Sequence, residues 1–254
     1  MNIINFFKKL ILRYPIDAGH WIRDHKSQRW IEKEFISQEY YDSYILKRNV
    51  VSNTEFIFYI DGFPRQGNTT LRTILLNTFP DMAMPDPLMH VVSLAEKAIL
   101  DKKIIFYTIR NPHDSILSLM SMNIKQWPNH FILKSNRKNR IRIRKYINYY
   151  IRHCSFIKDN INNIVVIPFE EIVQISNDYL NDNIHNNHII KNISHKYNLS
   201  INAHSDFLSF FVFTTSNKEV ESLYLHTSYY RKKLKKADQL YEEIIKLVLE
   251  QELL

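Results

Sequence analysis

Glycine is almost missing from this chain, with three in 254 residues, and two of those, Gly62 and Gly67, bracket only four residues. Scarce glycine beside abundant isoleucine, asparagine and lysine points to compositional bias, so asparagine-rich stretches carry little functional weight by themselves. Cysteine occurs once, as Cys154, which excludes an internal disulfide framework and fits a reducing compartment. The apolar residues of the first stretch, Ile3, Ile4, Phe7, Leu10, Ile11 and Tyr14, stand at helical spacing with Lys8, Lys9 and Arg13 between them. That run is far short of a membrane span and lacks a small-residue cleavage site, so neither an anchor nor a secretory signal is expected. A basic amphipathic helix over 1–14 can lie on a membrane surface; packing of its apolar stripe on the domain is the simpler reading. The expected location is therefore cytoplasmic, with peripheral membrane contact through 1–14 as the variant. Sequons at Asn68, Asn192 and Asn198 read as coincidental, the first lying inside a tight loop that a glycan would destroy.

Internal repeats and Gly/Ser-rich linkers are also lacking, which leaves a two-domain split without support. With 45% hydrophobic content the chain can bury a full core. The expected organisation is one domain over 1–254, with 1–50 a helical N-terminal extension and 56–249 the core. Asp17 to Asn49 reads as charged, helix-compatible sequence in which His20 and His25 are exposed. The formal charge of +8 favours anionic ligands or surfaces.

The most informative stretch is Phe56 to Arg72, FIFYIDGFPRQGNTTLR, which reads as strand, tight loop and helix. Phe56 to Ile60 is a continuous apolar run suited to a strand buried on both faces. Gly62 and Gly67, followed by Asn68 and Thr69, have the spacing of a phosphate-binding loop in which the usual lysine has become asparagine. In such a loop successive N–H groups form a nest at a helix N-terminus, where an anion gains hydrogen bonds and the positive end of the helix dipole. A glycine turn joining any strand to any helix shares part of this pattern. An ATP or GTP user normally keeps the lysine on the terminal phosphates beside a carboxylate-held Mg2+, whereas here the cation is Arg65, inside the loop.

Pro64, Arg65, Gly67, Thr69 and Thr70 resemble the first cofactor-binding segment of the sulfotransferases that use 3'-phosphoadenosine 5'-phosphosulfate (PAPS). In that family the loop reads proline, lysine or arginine, a variable residue, glycine, then threonines. The chemistry suits the change of cation: a transferring sulfuryl group carries less negative charge than a phosphoryl group, so one cation and backbone donors can stabilise the leaving phosphate without metal. The second cofactor segment of the family has arginine at a strand end and serine eight residues later, and Arg110 with Ser118 matches both. Lys103 to Ile109 is the expected strand, Asn111 a good N-cap and Pro112 a good first helical residue. By resemblance, Arg110 and Ser118 would hold the cofactor's 3'-phosphate. Ser228, Tyr229, Tyr230, Arg231, Lys232 and Leu234 are similar to the family's terminal phosphate-contacting stretch, without its glycine, which makes Arg231 a further 3'-phosphate candidate.

Between the two segments, Asn68 to Asn77 is expected as a helix with Leu71, Ile74 and Leu75 facing the sheet. Pro80, Asp81, Pro85, Asp86 and Pro87 mark a loop at the carboxyl end of the sheet, where an open α/β fold places its ligand. That loop delivers His90, twenty residues before Arg110, where the cytosolic sulfotransferases carry a histidine acting as base toward the acceptor hydroxyl. A neutral imidazole can take that proton. Asp86 or Glu96 is the alternative base, as in some carbohydrate-modifying relatives, and a purely structural histidine is the third option.

Asn163 to Pro168, NIVVIP, reads as a third strand followed by Phe169, Glu170 and Glu171. By resemblance Phe169 lies near the adenine. Without the resemblance, Glu170 or Glu171 would be the Mg2+ carboxylate of a nucleotide hydrolase or kinase. Seven basic residues crowd Lys134 to Lys145. The run suits a solvated face, an anionic acceptor or a lipid surface, and without ordered aromatic interleaving it argues against nucleic acid. His185, His188 and His195 read as surface residues rather than a metal site. Phe207 to Thr215 is expected in the core, and Asp238 to Leu249 as a closing helix.

The alternation of buried strands and helical segments implies a three-layer α/β/α fold with a mainly parallel sheet; the resemblance makes it a P-loop nucleotide-binding type. The implied function is PAPS-dependent sulfuryl transfer to a hydroxyl or amine, with Arg65 and His90 catalytic. Gly67, Asn68, Thr69, Thr70, Arg110, Ser118 and Arg231 join Arg65 as cofactor contacts, and no metal is expected. The short connection between the segments leans toward a large or exposed acceptor such as a glycan, lipid or peptide. The rivals are a kinase with a degenerate loop, and a non-catalytic membrane-surface or nucleotide-binding module.

Overall fold

The computed structural model describes residues 21–23, 30–32, 57–84, 90, 92–126, 136–202 and 228–252. Helix was expected across Asp17 to Asn49. The described residues of that stretch instead form two short antiparallel strands, β1 (Trp21–Arg23) and β2 (Trp30–Glu32), with Ile22 opposite Ile31. Tryptophan and isoleucine on both strands favour a pleated, paired surface. The amphipathic stretch 1–14 and the segment Phe207 to Thr215 lie outside the described residues.

The main sheet follows the apolar runs. β3 (Phe58–Gly62), β4 (Ile104–Ile109) and β5 (Val165–Pro168) pair in parallel in the order β3-β4-β5. Gly62 stands opposite Thr108 in one pairing and Ile109 opposite Pro168 in the other. Parallel neighbours require crossovers, and helices supply them: α1 (Asn68–Thr78) and α2 (Val92–Leu100) after β3, α3 (Pro112–Gln126) and α4 (Asn136–Asp159) after β4. After β5 come α5 (Phe169–Leu180), α6 (His188–Tyr197) and α7 (Ser228–Glu252).

Side-chain alternation along the strands divides the core in two. Phe58, Ile60, Phe106 and Ile167 face α1, α5 and α6, where Leu71, Ile74, Leu75, Ile172, Ile175 and Ile190 are fully buried. Tyr59, Ile105, Tyr107 and Ile109 face the other way, onto α2, α3, α4 and α7. The result is an α/β fold with helices on both faces of a parallel sheet. Each leucine or isoleucine of α1 buried this way contributes about 1.5–3 kcal/mol relative to exposure, so α1, which carries the glycine loop, is anchored firmly. No described helix is long and apolar enough to cross a membrane.

The second core encloses polar groups. Burial pushes the Cys154 thiol up to about 12, with the Tyr150 hydroxyl opposing, which leaves a neutral, unreactive sulfur. His153 on α4 is buried between Phe63 and Tyr149, its ring edge-on to Tyr149 at 4.5 Å, and its Nδ1 meets the Tyr107 hydroxyl. Burial, then the charges of His90 and Arg152, hold His153 well below the ordinary histidine value. The folded chain therefore resists a proton that the unfolded chain accepts below about pH 6.5. Stability is fully present above that pH and is lost as the pH falls below it. Urea denaturation between about pH 7.5 and about pH 5 should show midpoints falling with acid. His153→Gln, which keeps a partner for the Tyr107 hydroxyl and cannot titrate, should flatten that slope; an unchanged slope would place the acid sensitivity elsewhere.

Candidate functional site

The β3–α1 loop is shaped by a close approach to β4. Gly62 has φ 154 and Gly67 φ 86, and between them Arg65 takes φ 70. A Cβ on Gly62 would sit 2.8 Å from the Thr108 carbonyl oxygen, and nearer still to its hydroxyl. Asn68 closes the loop from beneath: its buried Nδ2 donates to the carbonyls of Gly62 at 3.2 Å and Phe63 at 3.3 Å, while its Oδ1 accepts from the Thr108 hydroxyl. The first i→i−4 bond of α1 runs from the Leu71 amide to the Gly67 carbonyl at 2.9 Å. The amides of Asn68, Thr69 and Thr70 precede it and have no partner inside the helix. Gly67 caps α1 without a side-chain hydrogen bond and the first turn carries no acidic residue, so nothing on the helix itself offsets its dipole there.

Two arginines meet at this loop. Arg65 Nε donates to Ser118 Oγ on α3 at 3.2 Å, and Arg110 Nη1 donates to the Arg65 carbonyl at 3.4 Å. The Arg110 guanidinium lies 4.1 Å over the Phe169 ring, a cation–π contact that fixes its plane. The Tyr150 hydroxyl donates to the Arg110 carbonyl at 2.5 Å, holding the strand end itself. Asn111 caps α3, its Oδ1 accepting from the amides of His113 at 2.9 Å and Asp114 at 3.4 Å. The carboxyl ends of all three parallel strands thus contribute: the loop after β3, Arg110 after β4 and Phe169 after β5. Burial and the neighbouring Arg110 hold Arg65 below the ordinary arginine value; burial also lowers Arg110, with Asp114 and Glu170 opposing. An anion set between two half-buried cations relieves both desolvation and their mutual repulsion.

His90 joins the loop through one ring nitrogen. Its Nδ1 lies 2.8 Å from the Gly62 carbonyl, 3.0 Å from Asn68 Nδ2 and 3.6 Å from Asp61 Oδ1. A carbonyl only accepts, so the shortest contact places the proton on Nδ1 and the neutral ring's lone pair on Nε2. Asp61 is fully buried; its Oδ2 accepts from the Tyr59 hydroxyl at 2.8 Å and its Oδ1 from the Gly62 amide at 2.7 Å. Burial, reinforced by Asp61, raises Tyr59 well above the ordinary tyrosine value, so it remains a donor.

Of the residues singled out in the sequence, Arg65, Gly67, Asn68, Arg110 and Ser118 are brought together, and His90 reaches them through Asn68 and Gly62. The Asn68 side chain is engaged by the loop's own carbonyls and Thr108, so its contribution to a ligand is its amide. Thr69 is exposed and Thr70 half-buried on the first turn of α1. Asp86 lies outside the described residues, and Glu96 is half-buried on α2. Arg231 falls in the first turn of α7, its side chain beyond the described groups. Glu170 and Glu171 open α5, Glu171 lying 3.7 Å from His188. Sequence reasoning missed Asp61, whose signal was a lone carboxylate closing an apolar strand, and Thr108, the hydroxyl opposite Gly62. No family model, curated protein or solved structure matches the chain.

The two glycines should differ in tolerance. Gly62→Ala drives a Cβ against backbone and should cost about 3 kcal/mol. Gly67→Ala meets side chains rather than backbone, Ile172 at 3.1 and 3.2 Å and the Phe169 ring at 3.4 Å, besides its left-handed strain, and should cost about 1 kcal/mol. Chemical denaturation of both variants checks the order; equal losses would refute the close approach at Thr108.

Proposed function

We propose that the chain transfers a sulfuryl group from PAPS to an acceptor hydroxyl or amine. The observation that carries this reading is the convergence of Arg65, Ser118 and Arg110 beside the amides that open α1. Two phosphate-binding groups at adjacent strand ends suit a nucleotide bearing both a 3'-phosphate and a 5'-phosphosulfate, and a triphosphate nucleotide has no use for the second.

The donor set fits such a ligand on its chemistry. Ser118 accepts from Arg65 Nε, which fixes its hydroxyl beside the loop. Arg110, oriented by Phe169, offers the fork geometry that phosphate oxygens take in pairs. In this reading Arg110 and Ser118 hold the 3'-phosphate, with Arg231 as an added contact from α7. Arg65 and the amides of Gly67, Asn68, Thr69 and Thr70 hold the 5' side and neutralise charge that grows on the leaving phosphate. PAPS supplies the activated sulfuryl group. His90 Nε2 takes the acceptor proton, and the acceptor is a large or exposed one such as a glycan, lipid or peptide.

Calorimetric titration with adenosine 3',5'-bisphosphate, without metal and beside ATP-Mg2+, tests the reading. Wild-type chain should bind the bisphosphate, and Arg110→Ala should lose affinity about 100-fold, the ~3 kcal/mol typical of removing one charged hydrogen-bonding partner. Binding of ATP-Mg2+ alone would favour the kinase reading instead, and binding of neither the non-catalytic module.

A further inference from the structure

His90 keeps a left-handed backbone, φ 53. A non-glycine residue holds that conformation only where its surroundings over-determine it, and such strain gathers at functional positions. The over-determining contacts meet Nδ1, which donates to the Gly62 carbonyl at 2.8 Å and has Asp61 Oδ1 at 3.6 Å. The Asp61 carboxylate is itself immobilised, one oxygen on the Tyr59 hydroxyl and the other on the Gly62 amide. The His90 side chain stays 21% exposed, and its Nε2 has no hydrogen-bond partner among the described residues. One edge of the ring is clamped and the other left available.

We propose that Asp61 is a positioning residue for His90: with the Gly62 carbonyl it keeps the proton on Nδ1, and its charge steadies the imidazolium formed when Nε2 accepts a proton. The step served is the one proposed above and rests on that reading. An acceptor oxygen forms a bond to sulfur, its proton passes to Nε2, and the bond from sulfur to the 5'-phosphate oxygen breaks with its electron pair staying on the phosphate. Among the described residues, the other titratable group facing His90 is His153 on α4, with Arg152 adjoining it. Any positive charge there opposes a cation on His90, so a fixed buried carboxylate on β3 is the counterweight the step requires.

The test uses the full chain labelled with nitrogen-15, the His90 resonances assigned by their loss in His90→Gln. Wild-type His90 should show the Nδ1–H tautomer, and Asp61→Asn a mixture of tautomers. With PAPS and an acceptor, Asp61→Asn should lower kcat about 100-fold with KM and bisphosphate affinity unchanged. In the His90→Gln background it should cost nothing further, since it acts through the histidine. Tyr59→Phe, which loosens the carboxylate but leaves it charged, should show the same effects at smaller size and serves if Asp61→Asn fails to fold. An Nε2–H tautomer in the wild type would overturn the proposal, as would an equal loss from Asp61→Asn in the His90→Gln background. So would bisphosphate affinity that falls in step with kcat, the mark of a merely structural residue. If the wild type binds no bisphosphate, the sulfuryl-transfer reading fails, and the tautomers of wild type and Asp61→Asn alone decide the role of Asp61.

Discussion

Gly62 meets Thr108 across the β3–β4 pairing with no room for a side chain, and the loop's arrangement follows from that approach. Bringing the strands so close lets the Thr108 hydroxyl reach Asn68, which in turn draws in the carbonyls of Gly62 and Phe63. Those carbonyls carry partial negative charge on the inner side of the turn, where the Gly62 oxygen also receives His90. The amides that open α1 are what remains for a ligand. Asparagine serves here because it both donates and accepts; a lysine at the same position has no acceptor with which to engage Thr108.

The loop also keeps opposite charges in distinct company. The fully buried Asp61 carboxylate at the end of β3 accepts from the Tyr59 hydroxyl and the Gly62 amide, while Arg65 and Arg110 share the other part of the turn with Ser118 and Phe169. Arg110 has the carboxylates of Asp114 and Glu170 within electrostatic reach, and Glu170 is exposed, so solvent screens that attraction more than it would a buried pair.

Much of this was legible in the sequence because it rests on local signals. A buried strand, two glycines and an amphipathic run locate β3 and α1; a strand end followed by Asn111 and Pro112 locates the start of α3, and Ser118 two turns on comes to Arg65. The helices on both faces follow from alternating strands and helices. What could not be read depended on non-local contacts. That Asn68 turns inward is decided by Thr108, forty residues away, and that His90 meets Asp61 is decided by how the chain returns after α1. The paired strands β1 and β2 were hidden by charged neighbours that fit a helix equally well, and only the partner strand settles the matter.

Among the described residues the left-handed positions fall mostly on residues with side chains: Arg65, His90, Lys102, Asp182 and Asn198. In the β3–α1 loop, Pro64 and Arg65 stand where a more flexible turn would carry glycine, and such residues have fewer backbone states to lose than glycine does. Much of the ordering that a ligand would otherwise have to impose is then completed when the protein folds. Under the proposed function, an anion arriving at this loop would meet a preorganised receptor, so the entropic penalty of capture would fall mainly on the visitor and little on the host.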